Sequence, residues 1–560
     1  MGELLQNSDE CLPPLLEQTP GGNTVFYKGR YLYSKRQPKK QIEATIASLN
    51  SLERTLFIFI SPALGYGASA LINVIPASSF LVFVEYEAQL GTLFEMSFWN
   101  DFKLLQKTNV QYLCTQNVRD AVKKIVAFTS LNFKSLQIIR GCAGFALHEE
   151  FYTELHALLE DEMSMFWKNR ITLIEMARLY SRNIFKWLRH ITESNKRVRA
   201  RFKVLPQGVI EKPVLVVGAG PSLEESISFL KENSDSFFVL AVDVALPTLS
   251  ALDIAPDAVL LLEGQYWVEH SFLLSKYRNI PLFASITSTP HVFNILQGDI
   301  FLYAVDFAPL NFLKNVKQTI ASLPTFATLG SVGLIALELS LFITKKDVPI
   351  FHTGLDFSYN KGFTHARSSM HPQNITVSST RLQGLYGASS FPIACKQVRG
   401  KSDTLLWSTP TLITYAQMYK KCFLKYENIF DIGKSGLVLR DEVMSEEKIK
   451  QYLKSSNAKM SKAKTLEKSP KFEALLLEDV VSVNVQSLLE DERQRLHLIK
   501  DMLKGARLLN YDVLVQEIKS SNYLYLHFPD YHSLTACDMT SSAFLKRIRI
   551  EVEYFLKIIE

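Results

Sequence analysis

The sequence predicts an α/β fold built around a central, doubly wound parallel sheet. Two observations predict it. Short apolar segments alternate with helical patterns through the middle of the chain, which is the rhythm of βαβ units. The first of these segments runs directly into a glycine turn, "GAGPS" at 218–222, as a strand does when a helix follows it closely. The predicted strands are residues 213–217, 237–242, 258–262, 281–285, 299–304 and 348–352.

The chain is too long for one hydrophobic core, because it has 560 residues, and we expect several domains. Residues 1–30 are polar and predict only a short lead-in. Residues 150–200 lack Gly and Pro and predict one or two long linking helices. Further apolar segments that predict strands of a smaller α/β domain are residues 55–60, 80–85 and 135–141. We predict an N-terminal α/β domain (1–200), a central sheet domain (201–410) and a mainly helical C-terminal domain (411–560), which a basic linker and amphipathic helices indicate.

The composition excludes several classes of protein. The net charge is only +6, from 62 basic and 56 acidic residues, which does not favour a nucleic-acid partner. Six cysteines lie far apart without a CxxC pair, so neither a zinc site nor a disulfide framework is expected. The start, "MGELLQNSDECLPP", carries acids where an export signal needs basic residues and an apolar core. We expect a cytoplasmic protein with reduced thiols.

One uncharged segment, between Arg54 and Glu85, is long enough to cross a bilayer, which needs about 20 apolar residues. Prolines and glycines interrupt it, however, and strand-like runs lie at both of its ends. The pattern favours a buried strand, a glycine turn, a helix and a second buried strand. We therefore expect no membrane insertion.

The central glycine turn predicts a nucleotide site in a Rossmann-like sheet. Gly218 permits the tight turn off the strand, and Gly220 lets the backbone approach a phosphate. Pro221 suits the first position of a helix, and Ser222 follows with a hydroxyl that can reach a phosphate or a ribose. Asp243 ends the next strand, where such sheets grip a ribose hydroxyl. The alternative is a purely structural strand-to-helix corner, because the third glycine of the usual fingerprint is missing.

A second glycine turn, "PALGYG" at 62–67, is followed by Glu85 at the tip of the next strand. As in the first turn, two glycines follow a strand and an acidic residue ends the next strand. Its glycines lie in an apolar run without a polar group that would seek a phosphate, so the structural interpretation is favoured here.

The passage 328–366 supplies a second set of candidates. Gly330 and Ser331 precede a well-patterned helix, whose first N–H groups form either an anion site or an ordinary helix cap. Strand 348–352 is then followed by a loop with Gly354, Asp356 and His365. Polar residues beyond the carboxyl end of a parallel strand stand where ligands bind. Asp356 is a candidate for ordering a ribose, a metal or an acceptor hydroxyl.

His365 is the candidate general base, because histidine titrates near neutral pH. A surface histidine without a role is the alternative. His352 lies inside the apolar strand and predicts a core histidine with its hydrogen bonds satisfied. The loop also carries Tyr359, Asn360 and Lys361.

These motifs resemble the MptE-like family. The resemblance is carried by "GAGPSL", "AVDVAL…APDAVLLLE" and "LGSVGLIALELSLF…DVPIFHTGLDFSY…THA". The N-terminal half, with "VFYKGRYLYSKRQPKKQIEATI" and "ISPALGYGASALI", is similar to the motility accessory factor (Maf) type of flagellin glycosyltransferase. Archaeal 6-hydroxymethylpterin diphosphokinases are more distant members. The resemblance spans about residues 25 to 430, and the chain departs from it at Glu263, where the family usually has an aspartate.

The resemblance implies a sialyltransferase-like central domain in a cytoplasmic enzyme. Such an enzyme transfers a nonulosonic (sialic-acid-like) sugar from a CMP-activated donor to Ser or Thr of flagellin. By the resemblance, the nucleotide would be held by Gly218, Gly220, Pro221, Ser222, Asp243, Gly330, Ser331 and Gly354, beside Asp356. His365 and Asp356 are then the catalytic candidates.

Two other functions stay open. A diphosphokinase would need ATP and Mg²⁺, and Asp243, Glu263 and Asp356 are the carboxylates that could hold the metal. A non-catalytic flagellin-binding protein would use an apolar groove of the helical C-terminal region. A CMP donor requires no metal, because CMP is a competent leaving group by itself, so we favour the glycosyltransferase.

Overall fold

The computed structural model describes residues 13–49, 52–102, 107–129, 131–193, 195–307, 310–360, 364–369, 380, 394–441, 444, 446–460, 479–531, 534 and 536–560. The chain forms two compact units, an N-terminal unit (Met1–Thr172) and a C-terminal unit (Leu173–Glu560). The boundaries expected from the sequence, after residues 200 and 410, do not coincide with this division. The basic linker predicted before the last helices lies largely outside the described residues, as does Lys361.

The N-terminal unit opens with a three-stranded antiparallel sheet where the sequence predicts only a polar lead-in. Its strands are β1 (Leu15–Thr19), β2 (Gly22–Tyr27) and β3 (Arg30–Tyr31). Val25 and Tyr27 are buried although the segment is polar on average. That prediction was wrong because one face of an antiparallel strand can be buried while the other stays polar.

A parallel sheet of order β6-β5-β4-β7 follows in the same unit. Its strands are β4 (Thr55–Ile60), β5 (Phe80–Glu85), β6 (Val110–Cys114) and β7 (Ser135–Arg140), which confirms the three predicted strands and adds β6. The uncharged segment is therefore β4, helix α2 and β5, and both strands are almost wholly buried. In the part of the chain that the structure describes, no helix combines the length and apolarity needed to cross a membrane.

The helices of this unit are α1 (Lys40–Ala47), α2 (Ala68–Val74), α3 (Ala88–Phe94), which continues as a π-helical turn (Glu95–Trp99), α4 (Asn100–Phe102) and α5 (Val118–Thr129). Helix α6 (Glu149–Ile191) is a single helix of 43 residues, as the absence of Gly and Pro predicts. The division between the two units falls within α6.

The C-terminal unit is built on a larger sheet in which all pairings are parallel. Its strand order is β14-β13-β12-β11-β10-β9-β15-β18, and β8 pairs with β13. The strands are β8 (Phe202–Lys203), β9 (Val214–Val217), β10 (Phe238–Val242), β11 (Ala258–Leu261), β12 (Leu282–Ser285), β13 (Ile300–Val305), β14 (Thr325–Phe326), β15 (Ile350–Thr353) and β18 (Ile429–Asp431). All six predicted strands are present. A separate hairpin pairs β16 (Lys396–Arg399) with β17 (Leu405–Ser408).

Helices cover both faces of this sheet, so it is doubly wound as predicted. Val259 and Leu261 of β11 join one apolar cluster with α6 and the C-terminal helices. Ala258 and Leu260, which point the other way, join a second cluster with helices from 332 to 453. This alternation is what a parallel strand buried on both faces requires.

The helices of this unit are α7 (Lys196–Arg199), α8 (Ser222–Glu225), α9 (Ile227–Asn233), α10 (Leu246–Ala251), α11 (Glu269–Leu273), α12 (Asn311–Thr319), α13 (Val332–Ile343), α14 (Pro410–Phe423), α15 (Glu446–Met460), α16 (Asp479–Lys504), α17 (Tyr511–Ser520), α18 (Ala536–Met539) and α19 (Ser542–Ile559). The C-terminal region is therefore helical as expected, except that β18 joins the sheet.

The strand order identifies where this sheet can bind a ligand. From β9 the chain adds strands β10 to β14 on one side, and β15 then returns to the other side of β9. The order thus reverses between β9 and β15. Crevices outside the carboxyl ends of strands at such a point are the usual ligand sites of open α/β sheets.

Candidate functional site

Two glycine turns cross at the carboxyl ends of β9 and β15. Gly218 N donates to Thr353 O at 2.8 Å, and Gly220 N donates to Gly354 O at 2.9 Å. Gly354 has a φ of +71°, a β-carbon on Gly218 would overlap Gly354 O, and one on Gly220 would lie 2.6 Å from Asp356 Oδ2. The glycines are therefore required by the mutual approach of the two turns, besides any approach to a phosphate.

Asp356 is bonded to the start of helix α8. Ser222 N donates to Asp356 Oδ2 at 2.7 Å, and Ser222 Oγ donates to Asp356 Oδ1. Gly354 N in turn donates to Ser222 Oγ at 3.1 Å. Ser222 is fully buried and Asp356 is 5% exposed. The carboxyl group of the second turn thus accepts hydrogen bonds from the first turn.

This geometry corrects one prediction about the first turn. The hydroxyl of Ser222 was expected to reach a phosphate or a ribose, but it is buried and donates to Asp356. The next N–H groups, those of Leu223 and Glu224, donate to Gly220 O and Pro221 O. Pro221 precedes α8, and α8 has only four residues, so this helix start is closed by protein groups.

The carboxyl group of Asp356 titrates in an unusual range. Burial raises its pKa to about 7, while the hydrogen bonds from Ser222 and the charge of Lys401 oppose the rise and Asp431 adds to it. Both carboxylate oxygens accept a hydrogen bond from Ser222, so Asp356 shapes the turn, and its catalytic role stays a prediction.

A cavity of about 340 Å³ lies in front of these turns. We call it the switch-point pocket. It brings together six of the predicted site residues, namely Gly218, Gly220, Ser331, Gly354, Asp356 and His365. Its other lining residues include Val242, Val244, Val332, Leu355, Phe357, Tyr359, Thr364 and Leu412. The hydroxyl of Tyr359 is buried, and no residue in the described ranges hydrogen-bonds to it.

His365 is held close to the first turn. The next residue, Ala366, donates its N–H to Ala219 O at 2.9 Å. The imidazole Nδ1 lies 3.1 Å from Thr364 Oγ1, and the half-buried side chain lines the switch-point pocket. His365 thus lies at the pocket, and its catalytic role stays a prediction.

Asp243 does not open into the pocket as expected of a ribose ligand. It is 2% exposed, and Val244 N donates to its Oδ1 at 2.8 Å. Burial raises its pKa to about 7, and the charge of Glu263 adds to the rise. Its neighbours Val242 and Val244 line the pocket instead. Glu263 is exposed and accepts from Gln265 N at 2.9 Å.

The start of α13 borders the pocket as predicted. Ser331, Val332 and Gly333 all line it. Ser331 occupies the N-cap position without a side-chain cap bond, so its hydroxyl is not used in the ordinary way of a helix cap. Gly330 is not among the lining residues; it has a φ of +74°, and a β-carbon on it would lie 2.7 Å from Tyr415 Cε1. At 12 residues, α13 has a substantial dipole whose positive end meets the pocket.

A buried polar cluster behind the pocket was not predicted. It contains His352, Lys401, Tyr419 and Asp431, each at most 7% exposed. His352 Nε2 lies 2.8 Å from Tyr419 Oη, which confirms that His352 is a core residue. Its hydrogen bonds are not all satisfied as predicted, because Nδ1 has no hydrogen-bond partner among the described residues. Burial lowers its pKa to about 4. Lys401 Nζ pairs with Asp431 Oδ2 at 2.8 Å. No sequence signal joins Lys401 to Asp431, because only the fold brings the β16–β17 hairpin to the end of β18.

The glycine turn of the N-terminal unit is packed as a structural corner. A β-carbon on Gly65 would lie 2.7 Å from Phe98 Cβ, and one on Gly67 2.6 Å from Ile42 Cγ1. Glu85 is buried and accepts from Tyr86 N at 3.0 Å and Glu87 N at 3.2 Å. The favoured structural interpretation of this turn agrees with these contacts.

Metal ligands do not converge in the part of the chain that the structure describes. No group of three or more His, Cys, Asp and Glu side chains is placed there to hold a metal ion. Of the three carboxylates suggested for Mg²⁺, Asp243 and Asp356 are buried with protein donors and Glu263 is exposed.

The fold and the pocket define an α/β protein with a nucleotide-type crevice at a strand switch point. The family described as "6-hydroxymethylpterin diphosphokinase MptE-like" matches residues 182–362. An uncharacterized protein of Treponema pallidum (strain Nichols) is 35% identical over 98% of this chain and 95% of its own length. The structure of the MAf glycosyltransferase from Magnetospirillum magneticum AMB-1 superposes with a TM-score of 0.57 at 13% identity, covering 98% of this chain and 91% of that one.

The chain belongs to one family with the Treponema protein, its residues 182–362 match the MptE-like family, and it has the fold of a Maf-type glycosyltransferase over nearly its whole length. The resemblance stated from the motifs is thereby confirmed.

Proposed function

We propose that the protein is a cytoplasmic glycosyltransferase that moves a nonulosonic acid from a CMP-activated donor to Ser or Thr of flagellin. The observation that carries the proposal is the switch-point pocket, in which the glycine turns, the start of α13 and His365 meet. The fold shared with a Maf glycosyltransferase supports the same class of reaction. The sugar and the acceptor come from the motif resemblance.

Each wall of the pocket has a part in this reaction. The turn Gly218–Gly220, whose only side chain is the methyl group of Ala219, lets the nucleotide approach the backbone, and the N-terminus of α13 faces the phosphate. A helix N-terminus stabilises an anion there, and the effect is strongest where water is excluded. Tyr359 brings a buried hydroxyl that a ligand oxygen can satisfy, since leaving it unbonded costs about 1–3 kcal/mol.

Transfer then follows by direct displacement. His365 accepts the proton of the acceptor hydroxyl, whose oxygen forms a bond to the anomeric carbon of the sugar. The bond from that carbon to the phosphate oxygen breaks, and CMP leaves with the electron pair. Inversion at the anomeric carbon is the stereochemical result. Asp356 acts indirectly, because its carboxylate is used to hold Ser222.

The experiment is transfer with purified components. The protein is incubated with flagellin and with CMP-activated pseudaminic, legionaminic or N-acetylneuraminic acid, and the intact mass of flagellin is measured. A mass increase of one sugar residue per modified site, which depends on the donor, is expected. Flagellin of unchanged mass with every donor, although it binds the protein, would favour the non-catalytic binding role.

The description of the matching family supports a second candidate, ATP-dependent pyrophosphoryl transfer. Its distinguishing requirement is Mg²⁺ with ATP, and two of the three carboxylates suggested for the metal, those of Asp243 and Asp356, are buried with protein donors. Calorimetry with CMP and with ATP plus Mg²⁺ separates the two functions. Tighter binding of ATP with Mg²⁺ than of CMP would favour the diphosphokinase.

A further inference from the structure

A buried lysine, Lys401, lies beside the loop that follows β18. Lys401 is only 7% exposed, and lysine is rarely buried so deeply without partners, because removing an ammonium group from water is costly. Its Nζ donates to Gly433 O at 2.6 Å and pairs with Asp431 Oδ2 at 2.8 Å. Its backbone N donates to Gly436 O at 2.9 Å. The hairpin that carries Lys401 is therefore fastened to the loop after β18.

The same loop reaches Asp356 and Ser222. Leu437 N donates to Asp356 O at 2.8 Å. A β-carbon on Gly433 would lie 3.0 Å from Ser222 Oγ and 3.5 Å from Lys401 Nζ. Lys401 Nζ and Ser222 Oγ thus lie close to the same glycine. The side chain of Lys401 is therefore near the hydrogen bonds between Ser222 and Asp356.

We propose that Lys401 is a positioning residue of the switch-point pocket: its buried side chain, paired with Asp431 close to Ser222, favours the ionised form of Asp356, and the ionised carboxylate holds the turn Gly218–Ser222 in its binding shape. A carboxylate accepts both hydrogen bonds from Ser222, whereas a protonated acid group loses acceptor capacity on one oxygen. The part that concerns nucleotide binding rests on the proposed function. The part that concerns the turn does not.

The charges around Asp356 predict pKa shifts of Asp356 in opposite directions for two substitutions. Burial places the pKa of Asp356 at about 7, where Lys401 lowers it and Asp431 raises it. His365 and Tyr359 are the other titratable side chains that line the same pocket. Removing Lys401 therefore raises the pKa of Asp356 further, and removing the charge of Asp431 lowers it.

The test is the pH dependence of CMP affinity, measured by calorimetry between about pH 6 and about pH 9.5, a range that spans the shifted acid. For Lys401→Met the affinity is expected to fall about fivefold at neutral pH and to recover in alkali, because the affinity follows the fraction of ionised Asp356. Lys401→Arg keeps the charge and should restore the wild-type profile. Lys450→Met is the matched control, since Lys450 pairs with Glu232 at the surface.

Asp431→Asn should shift the pH dependence of CMP affinity in the opposite direction, toward lower pH. It also tests the inference if Lys401→Met fails to fold. Hydrogen exchange of the Ser222 amide, corrected for the intrinsic rate and measured without nucleotide, gives a second readout. Its protection should fall at neutral pH in Lys401→Met and recover in alkali.

Two outcomes would overturn the inference. One is a folded Lys401→Met protein with wild-type amide protection and a wild-type CMP profile. The other is a shift of Asp431→Asn in the same direction as Lys401→Met, which would show that only the ion pair matters. If the wild-type protein does not bind CMP at all, the proposed function fails, and amide protection alone decides the role of Lys401.

Discussion

Gly218 and Gly354 lie at a crossing of two turns where neither residue can carry a β-carbon. The β-carbon of either residue would overlap the backbone of the other, and Gly354 has a φ of +71°. The crossing places the ends of β9 and β15 in contact at the strand switch point. The glycine motif therefore determines the shape of the pocket independently of a ligand.

We expect Gly354→Ala to destabilise the C-terminal unit by about 2 kcal/mol or more, the scale of overpacking in a close-packed interior. The loss should appear in chemical unfolding without nucleotide. Gly505→Ala is the matched control, because Gly505 also has a positive φ, +74°, but no atom lies within 4 Å of its β-carbon position. Equal losses in the two variants would show that backbone strain, rather than the crossing, is the cause.

Ser222→Ala should weaken CMP binding although Ser222 does not line the pocket. The variant removes the hydroxyl that donates to Asp356 and accepts from Gly354 N. Leaving those buried groups without a partner costs about 1–3 kcal/mol, and part of that cost is a distorted turn. Calorimetry with CMP measures the effect. Ser234→Ala, near the end of α9 and away from the pocket, should bind as the wild type does. Unchanged affinity in a folded Ser222→Ala protein would argue against a turn shaped by this pair.

The buried carboxyl of Asp243 should make the protein less stable as the pH rises. Its folded pKa is raised to about 7, whereas an unfolded aspartate titrates near about 3.9. The stabilisation is complete below about pH 4 and is lost as the pH rises through about 7. Asp243→Asn cannot ionise, so its unfolding free energy relative to wild type should increase by about 1–3 kcal/mol over that interval.

The quantity to compare is the change of this difference with pH, because the amide adds a constant offset. Asp235→Asn, at an exposed aspartate after α9, should show a flat difference. A flat difference for Asp243→Asn as well would mean that Asp243 is not held in the neutral form.

The parts of the fold that the sequence predicted are those that local patterns determine. Strands such as β9 and β10 are continuous apolar runs, because both faces of the sheet are covered. Strand β6 includes Gln111 and is only partly buried, and β18 has three residues, so neither carries such a run. The polar residues that follow strands were located correctly along the chain.

Their orientation could not be predicted. Asp243 and Asp356 both follow an apolar strand, and both are buried against backbone N–H groups. Whether such an acid faces a ligand or a neighbouring turn depends on packing between elements far apart in the sequence. The same limit applies to Lys401, whose partner Asp431 is supplied by another element.

His365→Ala tests the catalytic step itself. His365 lines the pocket beside the first turn but is not part of the crossing, so the variant should fold and bind CMP nearly as well as the wild type. Sugar transfer to flagellin should slow about 100-fold or more, the usual scale for a lost general base. Single-turnover rates with a CMP-activated donor, compared with CMP affinity from calorimetry, separate chemistry from binding.

The control for His365→Ala is His497→Ala, because His497 lies on α16 and pairs with Glu560 near the C-terminus. Its transfer rate should match that of the wild type. A base also leaves a signature in pH, since transfer by the wild type should fall at low pH as His365 becomes protonated, and that dependence should disappear in the slow residual reaction of His365→Ala. If His365→Ala instead loses CMP affinity and transfer in equal proportion, His365 contacts the nucleotide and another group removes the proton. If both are unchanged, His365 is a pocket residue without a role in transfer, and the hydroxyl of Tyr359 becomes the next group to replace.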